Sequence, residues 1–186
     1  MGRLLFAAMV AAAALAGTAG STKADFTINV GNFVLNANEP NQVRQFQFTG
    51  SGVVDTLEFV IEIGDGSSGP KITAIDLKTG TFAGAGTQAN VVTDPWAQMS
   101  TVDLPSTSIT GGLLATVTFD TTGLLYASSQ PLLLSGVYDS YNTRFISAGS
   151  VVPTTVTNGT ISVVPEPMSL GLLAVGALGL LRRKRK

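Results

Sequence analysis

Twelve carboxylates, with no histidine and no cysteine, define the chemistry open to this 186-residue chain. Without a thiol or an imidazole there is no thiolate nucleophile, no histidine base, no disulfide and no zinc site built on those ligands. A carboxylate pair is what remains, because glycoside hydrolysis needs two carboxyl groups about 5–9.5 Å apart. Glu58 and Glu62 share one face of an alternating run. At strand rise they stand about 13 Å apart, with Val60 between them, so they read as a solvated face. Asp65, Asp76, Asp94, Asp103, Asp120 and Asp139 pair only if the fold brings them together. No serine has a histidine to activate it, and Lys71 and Lys78 lie in no nucleophile motif.

Hard oxygen donors are the better polar signal. Asp65, Gly66, Ser67, Ser68 and Gly69 offer a carboxylate, hydroxyls and turn carbonyls, a donor set suited to calcium, without the spacing of an EF-hand loop. The same string also reads as a turn whose aspartate bonds its own backbone. Asp65 and Asp76 are the calcium candidates, and no other cofactor is expected. Trp96, Tyr126, Tyr138 and Tyr141 are candidate sugar platforms, each equally suited to packing or loop anchoring.

The charge is divided along the chain. Between Asp25 and Val164 four basic residues face eleven acidic ones, a balance of −7, whereas Arg182, Arg183, Lys184, Arg185 and Lys186 are all basic. An acidic middle repels phosphate backbones, so nucleic acid is not an expected partner. At the start, Arg3 precedes the apolar residues 4–16 and then small residues. This is the order of a secretory signal, with cleavage expected at Ala24 in preference to Ala19. Thirteen residues of helix span about 20 Å, short of a roughly 30 Å hydrocarbon core.

At the other end, Pro165, Glu166 and Pro167 precede the apolar residues 168–181, followed by the basic cluster. Two prolines in three positions hold that linker extended. The apolar run suits a short transmembrane helix whose basic end stays cytoplasmic. Fourteen residues are marginal for permanent residence in a bilayer. The alternative is a plain tail anchor.

These three parts in order resemble the PEP-CTERM sorting signal of bacterial surface and exopolysaccharide-associated proteins. The resemblance implies recognition by an exosortase, a membrane-embedded cysteine protease or transpeptidase. Pro165, Glu166 and Pro167 would be the sorting motif and residues 182–186 the basic stop signal. It also implies passage through the inner membrane to the cell surface or outside, where exopolysaccharide or other surface proteins are the expected partners. The organisation expected is a signal peptide over 1–24, an exported domain over 25–160 and the sorting signal over 161–186.

The middle alternates with a period of two. Leu57, Phe59, Ile61 and Ile63 share one face, and so do Leu113, Ala115, Val117 and Phe119, which predicts half-buried strands. Shorter strands are expected over 26–35, 43–49, 72–77, 132–137, 143–147 and 159–164. Turns are expected at 38–41, 64–70, 110–112 and 128–131. The stretch 83–108, which carries Trp96, is too long for a hairpin and is expected to hold a short helix or an extra strand. No amphipathic helix stands out between the two ends. The fold class is therefore all-β, an antiparallel β-sandwich flanked by an N-terminal signal helix and a short C-terminal transmembrane helix.

Residues 57–66, 72–82 and 111–119 resemble cohesin-like and related carbohydrate-binding-like sandwiches of the jelly-roll type. The resemblance implies the fold. A dockerin-binding role is not carried over with it. The expected function is an exported, non-enzymatic surface or matrix protein, and the alternative is a carbohydrate- or protein-binding module, possibly assisted by calcium.

Overall fold

A computed structural model describes residues 25–137 and 140–165. The signal segment with Ala19 and Ala24, Tyr138, Asp139, Glu166, Pro167, the apolar run and the basic cluster lie outside the described residues. In chain order the strands are β1 (Asp25–Asn29), β2 (Asn32–Asn36), β3 (Gln42–Ile63), β4 (Lys71–Asp76), β5 (Gln88–Thr93), β6 (Ala97–Asp120) and β7 (Ser128–Leu133). Then follow β8 (Ser135–Val137), β9 (Tyr141–Asn142), β10 (Arg144–Ser147), β11 (Ser150–Val151), β12 (Thr154–Thr157) and β13 (Gly159–Val164). One turn of 3-10 helix occupies Gly80–Phe82.

The spine is the antiparallel ribbon of β3 and β6, paired from Gln42 with Phe119 to Glu62 with Ala97. It cannot be straight. Phe46 and Phe59 lie thirteen residues apart on β3, about 43 Å if extended, yet their ring centroids are 5.7 Å apart. The ribbon therefore bends over on itself and contributes to both layers of a sandwich. Register shifts at Phe46/Gln47, Phe48/Ser51 and Val54/Thr56 make the bend. Across the last of them the buried positions change from even (Phe46, Phe48, Val54) to odd (Leu57, Phe59, Ile61, Ile63). There Leu104, Pro105 and Ser106 of β6 stand opposite the single residue Asp55, and at this irregularity β3 changes the face it buries, which keeps both halves apolar inward.

One half of the ribbon is flanked by β1 and β4; the other is flanked by β5, β10 and β7. A continuous core joins them, with Phe26 packed on Phe145 at 4.3 Å between centroids and Phe48 stacked on Phe82 at 5.7 Å. At the bend the chains approach too closely for side chains. A Cβ on Gly50, where φ is +110°, would lie 2.0 Å from the Asp25 carbonyl oxygen, and one on Gly111 would lie 2.8 Å from that of Phe48.

Several expectations change. The predicted turn at Thr110, Gly111 and Gly112 is the middle of β6, where the glycines permit the crossing rather than ending the strand. Residues 128–131 form a strand as well. Pro131 is accommodated there because its carbonyl accepts from Gly64 N–H at 2.9 Å, on the side where β3 turns away. The expected strand 26–35 is two strands, broken at Val30 and Gly31. The stretch 83–108 holds β5 and the first part of β6. The sheet is also not wholly antiparallel, since β1 pairs in parallel with β12, and β2 with β13. Finally, the face shared by Glu58 and Glu62 is not open throughout, because Val60 between them is 1% exposed.

The parallel pairing sets the polarity of the molecule. The described chain starts at Asp25 on one end of the sandwich and leaves at Val164 on the other, up to roughly 35 Å away at strand rise.

Candidate functional site

The end from which the chain leaves is built by polar side chains that tie loops to strand ends. Val164 C=O accepts from Ala37 N–H at 2.7 Å, and Asn38 N–H donates to Leu124 C=O at 3.1 Å. Beneath them lies the buried Gln42. Its amide donates to the carbonyls of Asn36 (2.9 Å) and Glu39 (3.1 Å), and its oxygen accepts from Asn36 N–H at 2.7 Å. The fully buried Thr121 hydroxyl lies 2.6 Å from Asn36 C=O and accepts from Glu39 N–H at 3.0 Å. Val163 is in register with Ser128, so the loop 121–127 stands beside the exit. Leu125 and Tyr126 project from it, 62% and 81% exposed. Pro165 follows immediately.

The loop 64–70 lies at the same end. Asp65 accepts from both the hydroxyl (2.5 Å) and the N–H (3.1 Å) of Ser67. Those bonds, the hydroxyl's first, hold its carboxyl below the usual aspartate range. Trp96 fastens the loop, its indole N–H donating to Gly69 C=O at 3.2 Å and its own carbonyl accepting from Ile63 N–H at 2.9 Å. Gln130 fills the loop from β7, and a Cβ on Gly69 would lie 2.4 Å from its Oε1. Gln130 Oε1 is buried without a hydrogen-bond partner.

The two calcium candidates are not brought together. Asp65 precedes β4, whereas Asp76 is its last residue and accepts from Lys78 N–H at 2.8 Å. Among the described residues no group of three or more carboxylates is placed to hold a metal. Trp96, Asp65 and Tyr126 share the exit end. Tyr141, half-exposed in β9, lies elsewhere, beside a shallow groove of about 240 Å³ lined by Ser135, Asn142, Thr143, Arg144, Val151 and Thr154. Arg144 is the cation of that groove and is already paired, its Nε 2.5 Å from Glu58 Oε2. The groove offers hydrogen bonding without a nucleophile and base.

Two residues that the sequence reading did not single out organise this side of the molecule. Thr143, 1% exposed, accepts from Val60 N–H at 3.0 Å and donates to Val60 C=O at 3.1 Å. It thereby replaces the neighbouring strand in the gap between β10 and β7. Arg144 neutralises Glu58 directly opposite it in register. A threonine followed by an arginine before an apolar strand was the available signal, and it is weak.

Residues 163–186 match the PEP-CTERM protein-sorting motif. No curated protein matches the chain. Among solved structures it is similar to the seventh ScaB type I cohesin of Pseudobacteroides cellulosolvens, with 12% identity, TM-score 0.54, and coverage of 76% of this chain and 93% of that one. It is also similar to a non-cellulosomal cohesin of Archaeoglobus fulgidus (13% identity, TM-score 0.55, coverage 79% and 96%). A third is the sixth cohesin of Acetivibrio cellulolyticus scaffoldin B, solved with a Cel5 dockerin mutant (17% identity, TM-score 0.51, coverage 75% and 99%). At such identities the likeness is one of fold. The chain is a cohesin-like β-sandwich that carries a PEP-CTERM sorting motif over residues 163–186.

Proposed function

We propose that this protein is exported, held briefly in the inner membrane by residues 168–181, and processed by an exosortase that reads Pro165, Glu166 and Pro167. The catalysis belongs to the exosortase and this chain is its substrate. The observation that carries the reading is the junction itself: β13 is hydrogen-bonded through Val164, and the matched motif begins at residue 163. The fold is thus complete where the address begins. Pro165 and Pro167 supply no N–H and resist helix, which leaves an extended segment between sandwich and membrane for a protease to grip.

Beyond the membrane, the sandwich serves as a protein-binding module at the cell surface or in its polysaccharide matrix. Its likeness to a cohesin solved with a dockerin supports protein binding over catalysis. A carbohydrate-binding role for the loop aromatics is the second reading, supported by the exposure of Tyr126 and Tyr141.

Replacing Pro165 and Pro167 together with alanine should leave an unprocessed membrane precursor in the native host, seen by intact mass and fractionation. Maturation like that of the wild type would reject the sorting role. Polysaccharide pull-down with residues 25–164, with and without chelator, separates glycan binding from protein binding.

A further inference from the structure

Seven of the exposed large apolar residues stand on strands (Val34, Val43, Val53, Val91, Tyr141, Val151 and Val164), where single exposed apolar side chains are ordinary. Leu125 and Tyr126 differ, because they are adjacent, protrude from a loop, and sit at the end from which the chain leaves. That loop is held in place. Leu124 N–H donates to Thr121 C=O at 2.9 Å, Gly123 N–H to Asn38 Oδ1 at 3.1 Å, and Leu124 C=O accepts from Asn38. The turn that leads into Leu125 and Tyr126 is therefore fixed by the fold. Val164, 38% exposed, adds apolar surface beside them.

The length of chain beyond the sandwich says what meets this tip. Three residues, 165–167, separate the end of β13 from the apolar run. Fully extended they span about 10 Å. The interfacial zone outside the hydrocarbon core is itself roughly 5–7 Å thick on each side. With Met168 at the hydrocarbon boundary, the end of β13 stands at most a few Å beyond the headgroups, and the loop leading into Ser128, which is in register with Val163, is level with it, so its protruding side chains reach the interfacial zone. A tyrosine and a leucine are suited to that depth, the ring and chain buried and the phenol hydroxyl in water.

We infer that Leu125 and Tyr126 form a membrane-contacting tip, which seats the sandwich on the lipid surface while the tail is inserted. The inference rests on the proposed insertion of residues 168–181. Glu39, whose N–H donates to Thr121, and Asp120, whose carboxylate accepts from Thr122 N–H, border the loop, and Lys71 is in register with Asp120. The contact is thus apolar and needs no anionic lipid.

The absence of cysteine makes the test direct. In chains running from residue 25 to 186, Tyr126→Cys and, at the opposite end, Ser51→Cys are each labelled with an environment-sensitive fluorophore. Both are reconstituted into phosphatidylcholine vesicles carrying a headgroup-proximal nitroxide lipid. The label at 126 should shift to the blue and lose most of its emission to the nitroxide, while the label at 51 stays as in water. Equal, water-like emission from both labels on chains that float with the vesicles overturns the tip and leaves the insertion standing. Failure of either chain to float overturns the insertion, and the tip with it.

Discussion

Thr143 shows how one hydroxyl can stand in for a strand. Val60 lies where β3 passes from pairing with β10 to pairing with β7, and the threonine side chain closes both of its backbone groups. Thr143→Val keeps the shape but leaves a buried N–H and C=O unpaired. Urea denaturation should show a loss of about 1–3 kcal/mol, with Thr143→Ser restoring most of it. Asp55 acts at the surface. Its carboxylate accepts from the Ser106 hydroxyl at 2.7 Å and from Ala148 N–H, and these bonds, the hydroxyl's first, lower its pKa from 3.8. Since the folded value is the lower one, the stabilising contribution is complete above the unfolded value and disappears as pH falls through the folded one. Wild type should therefore melt above Asp55→Asn at neutral pH, and the two melting curves should converge in acid below that value.

At the scale of elements, one of the tightest points is where β1 crosses the bend of β3. Gly50→Ala puts a methyl group into the Asp25 carbonyl and forces a positive φ on alanine. It should cost more than about 1 kcal/mol and lower hydrogen-exchange protection in β1. Gly84→Ala, with nothing within 4 Å of its Cβ, should be close to neutral. The same contrast explains what was legible in advance. The alternations at 57–63 and 113–119 are period-two signals; the first appears as the apolar face of β3 and the second holds in β6 from Ala115 to Phe119, whereas the register shift opposite Phe46 and Gln47 buries Leu114 and leaves Leu113 half-buried. The turn residues at 64–70 form a turn for the reason their types imply. Gly111 and Gly112 misled because glycine signals freedom without saying whether it serves a turn or a close crossing, and the atom that demands it belongs to Phe48, more than sixty residues away. Pro131 misled in the same manner. The parallel pairing of β2 with β13 joins Asn32 to Thr160, a distance no local pattern encodes. Of the candidate site, the motif around Pro165 and the Asp65 turn were legible, whereas the Arg144–Glu58 pair and the knot at Gln42 and Thr121 depend on register.

For the whole molecule, the boundary between fold and tail is the decisive feature. Ile161 and Val163 are each 1% exposed, whereas Val164 is already half-exposed. A chain ending at Val164 should melt with the same midpoint as one that retains the tail in detergent. A chain ending at Asn158 loses two core side chains, worth about 1.5–3 kcal/mol each, and the partners of β2 and β7. It should fail to give a cooperative transition by circular dichroism. Processing anywhere beyond Pro165 then leaves the sandwich untouched.

The parallel alliance of the first and last strands also bears on mechanical load. Four register pairs join β1 to β12 and five join β2 to β13. When the chain is tugged at Val164 against a grip near Asp25, these strands are dragged along their length in opposite directions. They shear instead of unzipping, and the rungs resist together rather than one by one.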